Sequence, residues 1–243
     1  PSTTPGPPAI AAPARPVTPA TRPPQRTVPV DGPLYHVDVS SEGAKLQEWT
    51  LHYRGDKPMV IVGELGPRGL VVAPADAAAA AEPVPMTIGR DNVKVGPDKP
   101  TDSLPLTAEE NGLRIQTTLR FEAGTFAYET KVRIENRSST PRTVSVSLPW
   151  RTRTEWKGVP EKFFGQHPTE FVWSTDGRIQ HVDTLTSVED REFAGAWVAM
   201  GSVWYLHALV PGSPDFKIVT RAEKGTPAKP GDAPPVPHVS MAV

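Results

Sequence analysis

Six histidines and a handful of carboxylates are the residues with which this chain could do acid–base or metal chemistry. His36, His52, His167, His181, His207 and His238 fall in separate segments, with no i, i+4 pair and no ligand-like spacing. His207 draws attention because it lies inside a long apolar run; a core histidine with one hydrogen-bond partner is the reading its surroundings favour. Glu42 with Glu48, or Asp183 with Glu189 and Asp190, would serve as acid and base only if the fold brought them together. The chain has no cysteine, which excludes thiol catalysis, disulfides and cysteine-held metals. No glycine-rich phosphate loop, paired-histidine zinc helix or serine nucleophile elbow is present. The residues point to a protein that is not an enzyme and uses no cofactor or metal. Asn136-Arg137-Ser138 fits the glycosylation triplet, one that arises readily by chance in a turn.

A second chemistry, contact through aromatic faces, has better material. Trp156, Phe163, Phe164 and Trp173 lie in an irregular stretch from 150 to 190, near Arg151, Arg153 and Lys157. Exposed rings beside cations would stack on sugars or hold an extended peptide. Packed rings would instead seal the open end of a β-sandwich, the commoner fate of large aromatics.

These residues need a scaffold, and its period is two. Tyr35, Val37 and Val39 alternate with polar neighbours; Leu46, Trp49, Leu51 and Tyr53 continue after a slip that predicts a bulge near Gln47-Glu48. Leu113, Ile115, Leu119 and Phe121, then Phe126, Tyr128, Val132 and Ile134, alternate with charged residues around Ala123-Gly124-Thr125, a hairpin with one wet face. Val144, Val146 and Leu148 read as a third strand of that meander. Short strands are expected at Pro58–Val62 and Leu70–Val72, with loops at 73–85 (or a brief helix over Ala77–Ala81) and 89–105. From Gly195 to Pro211 runs near-continuous apolar sequence without a charge, one long strand or two kinked at Gly201-Ser202. It must be covered on both faces, so it belongs mid-sheet, with Trp197, Met200, Trp204 and Tyr205 defining the core. It is short of the ~20 apolar residues that span a bilayer. Phe216, Ile218 and Val219 read as an edge strand, and Val239–Val243 as a strand that starts and stops.

The 243 residues carry 26 Lys and Arg against 27 Asp and Glu, a balance that offers nucleic acid no basic patch. Thirty prolines concentrate in the ends. Residues 1–33 read as a Pro-rich disordered tether and 34–243 as one β-sandwich domain, C-terminally truncated. A chain opening on Pro1 reads as a piece of a longer protein.

The segment Ala194-Gly-Ala-Trp-Val-Ala-Met-Gly-Ser-Val-Trp-Tyr-Leu-His-Ala-Leu-Val-Pro211 resembles the Gly-Trp-Val-Ala-Met strand of the large periplasmic domain of YidC-type membrane protein insertases. Val37-Asp-Val-Ser-Ser-Glu-Gly-Ala-Lys-Leu46 and the hairpin 113–135 are similar to that domain's opening strands and middle pair, over residues 34–220 in all. The resemblance implies an all-β, twisted antiparallel super-sandwich of two sheets, shaped like galactose mutarotase, with little helix. It also implies the periplasmic face of a bacterial inner membrane, reached through segments absent from this chain. Its partners would be nascent membrane proteins and the Sec translocon components SecDF and SecYEG, with no catalytic residue to transfer. A carbohydrate-binding or mutarotase-like module and a structural Ig-like envelope domain are the alternatives.

Overall fold

The computed structural model describes residues 22–52, 54–58, 68–74, 81–151, 170–182, 191–201, 206–213, 216–223 and 238–242. Among them there is no helix. The strands in chain order are Thr27–Asp31 (β1), Tyr35–Ser40 (β2), Leu46–His52 (β3), Asp56–Pro58 (β4), Val71–Pro74 (β5), Thr87–Ile88 (β6) and Val93–Lys94 (β7). Then come Thr101–Glu110 (β8), Leu113–Glu122 (β9), Tyr128–Asn136 (β10), Val144–Ser147 (β11) and Pro149–Arg151 (β12). The rest are Glu170–Thr175 (β13), Arg178–Val182 (β14), Arg191–Phe193 (β15), Trp197–Gly201 (β16), Leu206–Leu209 (β17), Ile218–Glu223 (β18) and His238–Ala242 (β19).

Two sheets face each other across the main core. One has the order β4-β3-β2-β1-β7, the other β10-β9-β8-β6. Alternation explains how they meet: Val28, Val30, Tyr35, Val37 and Val39 from the first and Leu104, Leu106, Ile115, Leu119 and Phe121 from the second are all buried. Tyr35 ties the layers, its ring 5.1 Å from Trp49 and 6.5 Å from Phe121, while its hydroxyl donates to the carbonyl of Glu122 at 2.9 Å. Tyr128 completes the cluster, 5.8 Å from both Trp49 and Phe121. Such ring pairs add about 0.5–1.5 kcal/mol each beyond the area they bury. Two further four-stranded sheets, β12-β19-β18-β15 and β14-β13-β16-β17, send Trp150, Ile218 and Val198 into the same core cluster. The result is a sandwich-like all-β arrangement, antiparallel except for the short parallel pair β1–β7.

Several expectations change. The tether loses its last stretch, because β1 lies within it and buries Val28 and Val30 completely. The loop expected at 89–105 holds β7 and the start of β8. Prolines at 97, 100 and 105 mask that strand, yet Pro105 fits because β6 pairs only with Leu106 and Thr107, leaving the edge beside Pro105 open among the described strands. β11 does not extend the meander; it pairs with β5 in a separate ribbon, so β10 ends its sheet. β18 is interior, between β19 and β15. The slip between β2 and β3 is as expected: Asp38 faces Glu48, Val39 faces Leu46, and Gln47 is the extra residue.

Candidate functional site

The apolar run divides into β16 and β17, which fold back on one another with Gly201 opposite Leu206, Ala199 opposite Ala208 and Val198 opposite Leu209. β16 is interior, held on its other side by β13 through Trp173–Val198 and Ser174–Trp197. Residues directly opposed in antiparallel strands share a face. One face of this sheet therefore carries Val198, fully buried, with Trp173 and Leu209 packed against the core. The other carries Trp197, half-buried, together with Ala199, Ala208 and Leu206.

Ala199 and Ser174 in the middle of that face are buried, and apolar side chains are exposed at its margins. Leu206 is 61% exposed, Val210 72% and, on the far strand β14, Ile179 70%. Phe216, just before β18 of the neighbouring β12-β19-β18-β15 sheet, is 43% exposed. β17 has a hydrogen-bonded neighbour only in β16 among the described residues, so its second edge of backbone N–H and C=O groups is open.

On the inner face of β17, His207 stacks on Trp150 of β12 at 5.3 Å. Both ring nitrogens of His207 and Trp150 Nε1 are buried without a hydrogen-bond partner among the described residues. The expected single partner is not among the described residues, and burial holds the imidazole neutral by lowering its pKa to about 4. Two other histidines sit beside aspartates: His36 Nδ1 is 2.7 Å from Asp31 and His52 Nδ1 is 2.8 Å from Asp56. Glu42 lies 3.4 Å from Arg22, and Glu48 accepts from Thr50, so these two carboxylates do not pair. Asp183, Glu189 and Asp190 lie outside the described residues.

A second concavity, about 510 Å³, opens between the β5–β11 ribbon and the turn joining β8 to β9. Val72, Val144, Leu113 and Ile115 make its apolar walls and Glu110 and Arg142 its charged rim. Arg142 donates to the carbonyl of Asn111, clamping the turn in which Asn111 and Gly112 both have positive φ. This turn also takes a bond from Arg137 N to the Gly112 carbonyl at 2.8 Å.

Of the aromatic candidates, Trp173 is half-buried, its ring 5.5 Å from Phe193. Trp156, Phe163 and Phe164 lie outside the described residues, as do Trp204 and Tyr205; Met200 is placed on β16 opposite Phe171 and His207. Sequence reasoning missed Leu206 and Val210. The available signal was their phase, four residues apart and so in step with one another but out of step with Leu209 and its partner Val198.

An all-β, sandwich-like domain with an uncharged apolar sheet edge and an inter-sheet aromatic core is the class these features define. The chain belongs to the YidC periplasmic domain family, whose model matches residues 27–232. The match begins at β1, in agreement with the buried Val28 and Val30. No curated protein matches the chain. Membership makes this an accessory domain of a membrane protein insertase, on the periplasmic side of an inner membrane. No helix among the described residues is long and apolar enough to cross a membrane.

Proposed function

We propose that this domain assists the insertion and folding of inner-membrane proteins by touching nascent chains, alone or alongside the Sec translocon components SecDF and SecYEG. The observation that carries the reading is the family match spanning the sheets from β1 through β18. The physical support is the exposure of large apolar side chains at Ile179, Leu206, Val210 and Phe216, which are available for contact with other apolar chains. The domain works by contact, and no residue in it turns over a substrate.

Photo-crosslinking residues placed at Phe126, Val132 and Ile179 in the full-length insertase test this. All three are exposed and lie on different strands or turns. During synthesis of an inner-membrane protein on stalled ribosomes, at least one position is expected to yield a crosslink to the nascent chain or to SecDF. No crosslink from any of them, while the insertase's membrane segments do crosslink, would sink the proposal.

A further inference from the structure

We propose that the open edge of β17 accepts an extended, uncharged, aliphatic segment of another polypeptide as a fifth strand of its sheet. This rests on the insertase reading only for the source of that segment, a nascent membrane protein; the edge itself is open among the described strands.

Three observations select this site and its occupant. The first is chemistry: from Leu206 to Val210 there is neither a charge nor a proline, so the edge lacks the devices by which sheets repel added strands. Elsewhere the molecule uses them. The long edge strand β10 carries Glu129, Lys131, Arg133 and Glu135, and the edge strand β4 opens Asp56-Lys57. The β5–β11 ribbon is uncharged too, but no large apolar residue on it is exposed.

Shape is the second. On the outer face of β17 Leu206 and Ala208 are exposed, and Val210 is exposed just beyond the strand, a short aliphatic row at the edge itself. Alternate side chains of an added strand would pack beside that row while its backbone pairs with β17. Charge matching is simple here: an edge with no ionised group desolvates an uncharged partner without leaving a buried ion.

The third is size. Pro211 has no N–H and stops the ladder, so about five residues can pair. A second copy joined edge to edge over that length would bury a few hundred Å² at most, against roughly 1,200–2,000 Å² for a stable dimer. The site suits a transient strand and not a permanent subunit.

The test uses the full 243-residue chain and a fluorescein-labelled octapeptide, Ser-Leu-Thr-Val-Ala-Leu-Thr-Ser, with blocked ends. Two further versions carry N-methyl groups on alternate residues, one on each phase. Anisotropy is expected to show binding of the parent peptide and of one N-methylated phase, with the other weakened at least tenfold, because only one row of N–H groups faces β17. Leu206→Asp is expected to weaken the parent peptide at least tenfold without moving Tm, as Leu206 is 61% exposed. Val132→Asp, on β10, is expected to leave binding unchanged. Equal binding of both N-methylated phases, or parent-like binding to Leu206→Asp, overturns the proposal. So does a dimer in sedimentation equilibrium that Leu206→Asp dissolves, since the occupant would then be a second copy. Crosslinks retained at Phe126, Val132 or Ile179 despite such a failure would leave the insertase role standing.

Discussion

At the scale of single residues, the departures from ordinary ionisation lie in the interior and at one surface cluster. His207, with both ring nitrogens buried and unpartnered among the described residues, has its pKa lowered by burial from the usual imidazole range, near 6.5, to about 4. The unfolded chain takes up this proton first as pH falls. The domain should therefore be most stable above pH 6.5 and lose stability as pH drops toward 4, by roughly 3 kcal/mol from this group. His207→Leu should lack that component, so the gap between variant and parent unfolding free energies, measured from pH 7 to 4, widens in the variant's favour. Asp102 is shifted the same way for the opposite reason. Arg90 holds it through two bonds at 2.8 Å, and Lys99 Nζ at 2.6 Å and the Ser103 amide at 2.8 Å add to this against the cost of burial. Its carboxyl is held far below the usual range, so its contribution is present above about pH 4 and lost as pH falls further. Asp102→Asn should cost about 2 kcal/mol at pH 7, with the difference fading in acid, as read by denaturant titration.

Among elements, the sharpest local demand is the approach of two backbones at Gly43 and Gly69. Gly43 has φ +60, and a Cβ there would lie 2.4 Å from the amide nitrogen of Leu70, an atom that itself donates to the Gly43 carbonyl. A Cβ on Gly69 would meet the Glu42 carbonyl oxygen at 2.4 Å. Gly43→Ala should thus cost roughly 3 kcal/mol, combining left-handed strain with a clash against backbone that cannot swing away. Gly55→Ala makes the control: its φ is +94 but nothing lies within 4 Å, so strain alone applies, roughly 1 kcal/mol. Thermal melts of the two variants separate the contributions. The clear hairpin β9–β10 was legible in sequence because one wet face forces strict alternation, down to Ile115 and Phe121 inside and Arg114 and Arg120 outside. β8 was not, since its alternation of Leu104, Leu106 and Ala108 is broken by Pro105 and only pairing with all ten residues of β9 restores it.

For the whole molecule, the relevant fact is that one core cluster draws side chains from four sheets. Phe121, fully buried, touches both Tyr35 and Tyr128, so Phe121→Ala removes a bridge between the two main sheets. It should cost about 3–5 kcal/mol. Because the cluster is continuous, tryptophan fluorescence and far-UV circular dichroism should still report one coincident transition. Two separate transitions would show that the sheets unfold independently.

Alternation, the proline distribution and the uncharged run ending at Pro211 by themselves determined an all-β domain, its central hairpin, the bulge at Gln47 and an interior strand at Trp197–Gly201. Those are local matters, set by which side chains must leave water along a single strand. Which strands become neighbours was decided only in three dimensions: β11 joining β5, β18 lying inside its sheet, and Leu206 standing on an edge left open among the described strands. Strand pairing is settled by long-range packing of faces against a shared core, and a strand's own residues carry almost no record of the partner it will meet.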